Sequence, residues 1–221
     1  MELTEVMRTT FSCREFTDEA VPDEVLYRIL EVARFAPSGG NRQGQRVIVV
    51  KDPATRRALA DLCRPTMGVY LAQVRAGESP WNTIVPTTVD VEAAAADPVP
   101  FPLIDGLDRV PALLVVALDL RAVASFDRHL DRVGVISGAS VYPFVWNVLL
   151  AARDEGYGGV LTTFLAASEP AAQELLGLPP HVAVAAMVPI GRPVRQLTKL
   201  RRNAVEDFVT VDRYDGPPLR P

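Results

Sequence analysis

Three segments of the chain group side chains that could hold a ligand. In residues 10–16, TFSCREF, Ser12 and Arg14 stand two apart. In an extended or N-cap geometry their hydroxyl and guanidinium face the same way and together suit a phosphate monoester; the same pair also fits a surface arginine beside a helix-capping serine. Residues 36–43, APSGGNRQ, place two glycines among Ser38, Asn41 and Gln43. Such backbone can approach a flat ligand with polar edges, and the same residues build ordinary helix-to-strand loops. Residues 192–202, RPVRQLTKLRR, carry five basic residues and no acidic one. That cluster could neutralise a phosphate, dock an acidic partner or stand solvated.

Other chemistries find little support. Residues 156–163, GYGGVLTT, have Leu161 where a dinucleotide-binding GxGxxG requires glycine. His129 and His181 are the only histidines and Cys13 and Cys63 the only cysteines, without metal-ligand spacing, and no GxSxG, HExxH or GxxxxGK[ST] occurs. With so few proton-transfer groups, an enzyme built on this chain would delegate its chemistry to a bound cofactor. The net charge of −4 argues against nucleic-acid or anionic-membrane binding. The N-terminus lacks an apolar leader, and the longest aliphatic run, residues 112–118, is far short of the ~20 residues of a membrane span. A cytoplasmic protein, neither exported nor embedded, is expected.

The elements that must position these segments follow from periodicity. Residues 21–36 read as an amphipathic helix and residues 46–50 as a strand buried on both faces. Asp52 and Pro53 then open a helix through Leu62. Residues 64–109 break the pattern with prolines 65, 80, 86, 98, 100 and 102, the lone Trp81 and the stretch EAAAAD, an excursion suited to covering a site. Residues 112–118 return as a strand. Residues 130–155 predict a long helix, apolar on more than one side and kinked at Pro143, central to the core or shared with a partner subunit. Residues 158–164 and 182–188 are further strands, with a Ser168-capped helix between them through Leu176, and a basic tail follows from about residue 191. The order predicts one α+β or α/β domain over residues 1–221, with a mixed sheet.

Taken in order, SCREF, APSGGNRQ, GYGGVLTT and PIGRP followed by KLRRNAVEDF resemble the nitroreductase family along nearly the whole chain. The resemblance implies an α+β homodimer with FMN at the subunit interface. It also implies ping-pong hydride transfer from NADH or NADPH to a small organic acceptor such as a nitroaromatic or quinone. By position, Ser12 and Arg14 match the phosphate-binding residues, with Cys13 between them as a packing residue. Lys199 and Arg201, with Arg202 beside them, match the basic pair that closes on the same phosphate. Pro37, Ser38, Gly39, Asn41 and Gln43 match the loop along the ribityl chain and ring edge. Leu161, Thr162 and Thr163 match the segment passing the isoalloxazine, with the Thr163 N–H at N5. No side chain is implied as the proton-transfer group and no metal is implied; His129 and His181 read as structural or exposed. The chain departs from the family at Thr10–Phe11, where two arginines are usual, and at Gly44–Gln45, where Pro-Trp is common. Trp81, Tyr70 and the proline-rich excursion are expected to shape acceptor choice. Two readings stand beside this one: a flavin-binding protein without turnover, and a scaffold docking an acidic partner through Arg192 to Arg202.

Overall fold

The computed structural model describes residues 1–97 and 99–221, so Pro98 of the proline-rich excursion lies outside the described residues. In chain order the helices are α1 (Leu3–Thr9), α2 (Asp23–Ala33), α3 (Pro53–Arg75), α4 (Val91–Ala96), α5 (Pro102–Asp105), α6 (Tyr142–Asp154) and α7 (Glu169–Leu176). The strands are β1 (Gln45–Val49), β2 (Ala112–Asp119), β3 (Gly158–Gly159) and β4 (Val182–Gly191).

Every residue of β2 is buried, as its unbroken aliphatic run predicts. Successive side chains leave a strand on opposite faces, so β2 feeds two cores at once. Leu114, Val116 and Leu118 pack with α2 and α6, while Leu113 and Val115 pack with α3 and α7. At about 1.5–3 kcal/mol for each fully buried aliphatic side chain, this strand holds the two helical layers together. In β4 the alternation slips: Val184 and Met187 join the α3 side, whereas Ala186, Val188 and Ile190 join the α2–α6 side. The slip coincides with a register shift between Val116 and Ala117 on β2.

The sheet order is β1-β2-β4-β3, with all three ladders antiparallel. The parallel component expected of a mixed sheet is the single bridge between Ser12 and Gly159. Strand β1 corrects the expectation of a strand buried on both faces. Among the described residues it lies at an edge, paired with β2 alone, and Arg46 and Val49 are exposed.

Two helices also differ from their sequence reading. Asp52 caps α3 by accepting from the Thr55 N–H at 2.8 Å, and Pro53 occupies the first turn as predicted. The helix does not stop at Leu62, however, but continues through Pro65 to Arg75. An internal proline costs ~3 kcal/mol, a cost exceeded by burying Leu59, Ala60, Cys63 and Met67 along the same face. The irregular part of the excursion therefore begins after Arg75. Conversely, the long helix expected over residues 130–155 is the 13-residue α6, and Pro143 opens it instead of kinking it. Upstream, the Asp127 carboxylate takes the Val135 N–H at 2.8 Å, the Ile136 N–H at 3.3 Å and Arg132 Nη1 at 3.0 Å. Those amides are thereby held in a loop, followed by a 3₁₀ turn over Ile136–Ser140.

The strand expected over residues 158–164 shortens to β3 plus an isolated bridge between Thr162 and Met187. Strand β4 runs past Val188 through Pro189 to Gly191. Ser168 stands before α7, but its hydroxyl donates to the Leu62 carbonyl at 2.8 Å and does not cap the helix.

A Cβ on Gly159 would lie 2.8 Å from the Pro189 carbonyl oxygen and 3.0 Å from Leu149 Cδ2. Gly159→Ala is therefore expected to lower stability by about 1–3 kcal/mol, read as a lower urea midpoint with unchanged denaturant sensitivity. A midpoint equal to that of the parent would show that this sheet edge has room to spare.

Candidate functional site

Residues 10–16 run between two other segments. On one side the Cys13 N–H donates to the Gly159 carbonyl at 3.0 Å. On the other, the Thr17 N–H donates to Arg192 O at 2.9 Å and the Val194 N–H to Glu15 O at 3.2 Å, with Phe16 opposite Pro193. Gln196 Nε2 extends that pairing by donating to Thr9 O at 3.0 Å. Three stretches remote in sequence, around residues 12, 159 and 194, are thus joined through backbone.

This pairing separates the roles of the basic segment. Arg192 is committed to structure: it forms a two-point ion pair with Glu19 at 2.6 and 2.9 Å and lies 5.0 Å from the Tyr157 ring centroid. Lys199, Arg201 and Arg202 are exposed, and among the described residues they enter no ion pair, nor does Arg14. The Cys13 thiol is buried and donates to Glu15 O at 3.3 Å, and burial pushes its pKa up, consistent with a packing residue.

Beside this junction lies a cavity of about 610 Å³, lined by Arg14 and by Leu161, Thr162 and Thr163. Both backbone groups of Thr162 are paired with Met187, at 3.0 and 2.8 Å, which fixes this wall to the sheet. The Thr162 hydroxyl oxygen is buried without a hydrogen-bond partner, and the Thr163 N–H has no backbone acceptor among the described residues. The cavity is also lined by Tyr70, Trp81, Phe101 and Phe164. The sequence singled out Tyr70 and Trp81 but not Phe101 or Phe164, because rings so far apart along the chain carry no periodic signal.

Ser12 is exposed and outside the cavity lining, although it adjoins Gly159. The loop containing Pro37, Ser38, Gly39, Asn41 and Gln43 is not on this cavity either. It is a strained surface turn: Gly40, Asn41 and Gln43 have φ of 61°, 53° and 50°, and Ser38 Oγ accepts the Gln43 N–H at 2.9 Å. Its neighbour is Ser140, ahead of α6. His129 is exposed, and neither it nor His181 lines the cavity.

Trp81 is held on a loop tied at several points. Its backbone N–H donates to Oε1 of the buried Gln73 at 3.1 Å, and its φ is 55°. Glu78 closes the loop by accepting from Thr87 Oγ1 at 2.5 Å, the Thr88 N–H at 2.7 Å and Thr88 Oγ1 at 2.6 Å. These hydrogen bonds, led by that from the Thr87 hydroxyl, hold the Glu78 carboxyl below its ordinary pKa of 4.5. A depressed folded pKa contributes stability that is full above the ordinary value and is lost as pH falls through the folded one. Hydrogen exchange over residues 76–90 should therefore quicken as pH is lowered from neutral to below 4.5, after correction for the intrinsic rate. Glu78→Gln should already exchange fast at neutral pH; equal protection in parent and variant would mean that the carboxylate does not close the loop.

The pattern of the nitroreductase family matches residues 7–192, a span that stops short of Lys199, Arg201 and Arg202. An NADH dehydrogenase of Thermus thermophilus is 31% identical over 185 residues, 84% of this chain and 83% of that protein. Among solved structures, oxidised iodotyrosine deiodinase bound to FMN and 3-iodo-L-tyrosine superposes with a TM-score of 0.64 at 23% identity, covering 96% of this chain and 98% of that one. An NADPH:FMN oxidoreductase from Vibrio harveyi complexed with NAD⁺ gives a TM-score of 0.67 at 21% identity, over 96% of this chain and 78% of that one. At these identities the two structures speak for the fold. The family pattern, running from the first helix to the arginine that pairs with Glu19, shows that this chain belongs to the nitroreductase family.

Proposed function

We propose that this protein is an FMN-dependent oxidoreductase that passes hydride from NAD(P)H to a small organic acceptor by a ping-pong mechanism. Family membership and the NADH dehydrogenase relative support a flavin oxidoreductase in general. The observation that carries the finer reading is the largely apolar cavity lined by Arg14, which enters no ion pair among the described residues, and by Thr163, whose N–H has no backbone acceptor among them. A flat ring bearing a phosphate on a polar chain needs those three things: apolar wall, cation and edge donor. The residues present therefore fit FMN.

In this reading Ser12 and Arg14 hold the phosphate, which carries about −1.5 to −2 charge at neutral pH. Lys199, Arg201 and Arg202 approach it from the tail, whose start is tied to Thr9 through Gln196. Cys13 supports the two flanking positions by packing beneath Gly158. Leu161, Thr162 and Thr163 line the ring, and the Thr163 N–H serves its N5 edge. When bound, FMN supplies the two-electron chemistry, accepting hydride in one half-reaction and giving it up in the next. The protein holds the reactants face to face and presents a fixed dipole to developing charge. No side chain need transfer a proton, in keeping with the position of both histidines off the cavity.

The proposal takes residues 1–221 as one domain of a homodimer at work in the cytoplasm; no helix among the described residues is long and apolar enough to cross a membrane. Pro37, Ser38, Gly39, Asn41 and Gln43 are absent from this chain's cavity, which supports the dimer: the loop reaches the flavin of the second copy. Exposed Tyr142 and Trp146 on α6, with Phe126 upstream, supply apolar surface for that contact.

The purified protein should be yellow, bleach with NAD(P)H and recover with a quinone or nitroaromatic. Colour without bleaching would favour a flavin binder, and a colourless protein that cannot be loaded with FMN would revive a scaffold that docks an acidic partner through residues 192–202. Arg14→Ala should release FMN at least about tenfold more readily than His129→Ala, a difference of about 1.4 kcal/mol. Equal retention, measured by flavin fluorescence after dialysis, would remove Arg14 from the phosphate site.

A further inference from the structure

We infer that Gln73, a buried side chain of α3, is a positioning residue for the proposed hydride transfer: it seats Trp81, and through Trp81 the planar reactants of both half-reactions. The inference rests on the oxidoreductase reading of this cavity and adds a residue that acts on it from outside, since Gln73 is not among the described residues of the cavity lining.

The first ground is where Gln73 stands. It is 4% exposed, on a helix whose buried face is otherwise mostly apolar. A buried carboxamide is costly unless it is hydrogen-bonded, so packing alone would favour an apolar side chain of similar size. The Gln73 carboxamide is bonded to the loop that follows: its Oε1 accepts the Trp81 backbone N–H at 3.1 Å. Its main chain serves the same loop. Helix α3 ends at Gly77, with φ of 75°, where the Gly77 N–H donates to Val74 O at 3.0 Å and the Glu78 N–H to Gln73 O at 2.9 Å. This is a Schellman ending, which reverses the chain at the helix terminus.

The second ground is the difference between the bonds that shape the loop and the bond that places it. Glu78 accepts from Thr87 and Thr88, and Asn82 Oδ1 accepts the Ile84 and Val85 N–H groups, both at 2.8 Å. Those bonds join loop residues to one another and would survive if the loop moved as a whole. The Gln73 bond instead ties the Trp81 backbone to α3, about one turn after Tyr70 on the same helix. Tyr70 lines the cavity and packs edge-to-face on Phe164, with ring centroids 5.7 Å apart at 75°. The indole is thereby located relative to the aromatic wall. The left-handed backbone of Trp81 is unusual for a bulky residue and persists only where the surroundings impose it. At Trp81 itself, the group that does so is the Gln73 carboxamide.

The third ground is what a seated indole does. Trp81 is 48% exposed in the cavity lining, available to cover a planar ligand. In a ping-pong reaction the donor leaves before the acceptor enters, and each presents its reacting atom to the same flavin. An indole fixed beforehand spares both of them the loss of loop freedom on binding and keeps them aligned. Released from Gln73, the indole would have to be ordered anew in each half-reaction. In the same reading FMN is held from other elements, by Arg14 and residues 161–163, whose wall is fixed to Met187. Its retention therefore does not depend on Gln73.

Two substitutions test this: Gln73→Met keeps the length of the side chain and removes the acceptor, whereas Gln73→Glu keeps an acceptor oxygen. Each FMN-loaded variant is compared with the parent for kcat/KM toward NAD(P)H and toward 1,4-benzoquinone, and for FMN retained after dialysis. A further readout is the fluorine NMR resonance of Trp81 in protein labelled with 5-fluorotryptophan, assigned with Trp146→Phe because the chain has two tryptophans. Gln73→Met should lower both kcat/KM values about fivefold or more, chiefly through KM. It should also shift or broaden the Trp81 resonance while FMN is retained as in the parent, and Gln73→Glu should restore most of each property. Parent-like KM values in Gln73→Met would overturn the inference. Equal damage from Gln73→Glu, or loss of FMN alongside the kinetic change, would make Gln73 a packing residue and overturn it as well. Should the protein refuse FMN, the oxidoreductase reading falls by itself; an unmoved Trp81 resonance in flavin-free Gln73→Met then overturns the seating of Trp81, and a moved one upholds it.

Discussion

Backbone meets backbone at Gly158 and Gly159, and the site is organised around that approach. A Cβ on Gly158 would stand 2.9 Å from Pro193 Cγ and 3.0 Å from Cys13 Cβ, and one on Gly159 would meet the Pro189 carbonyl. Only residues without side chains let the N-terminal segment, the last strand and the cavity wall converge within hydrogen-bonding distance. From this junction Arg14 and Thr163, 149 positions apart as 163 − 14, come to line one cavity.

The sheet makes the junction rigid. Strand β2 is buried on both faces, so its neighbour β4 is fixed laterally by two cores, and β4 in turn holds Thr162 through paired amides on Met187. Strain is kept away from this centre. Positive φ values at non-glycine residues fall at Asn41, Gln43, Trp81 and Asp212, all on loops. Two of these loops carry residues proposed to meet ligands. A rigid wall faced by the Trp81 loop in a costly conformation is the arrangement expected where binding geometry is set in advance.

Much of the architecture was legible because it rests on local pattern. The aliphatic run of β2, the Asp52–Pro53 start of α3 and the amphipathic spacing of α2 each declare themselves within a few residues. Local rules fail where distant groups decide. Pro65 should end a helix by local rules, yet burial of one helical face outweighs the lost hydrogen bond. Residues 130–141 have helical spacing, yet Asp127 captures two of their amides. The β1 run is as β-branched as a central strand, but among the described residues no second strand pairs with it.

For the site, the sequence by itself determined the chemical types: a hydroxyl and a guanidinium two residues apart, a glycine-rich passage, a basic tail, and almost no group able to move a proton. Those are properties of composition and short spacing, which folding does not alter. The tertiary structure decided which of them meet. It joined Arg14 to Leu161, Thr162 and Thr163, spent Arg192 on Glu19, left the Ser38–Gln43 loop out of that cavity's lining, and gathered Tyr70, Trp81, Phe101 and Phe164 into one aromatic wall. Such encounters depend on chain crossings and on which surfaces two cores bury, and no local pattern encodes them.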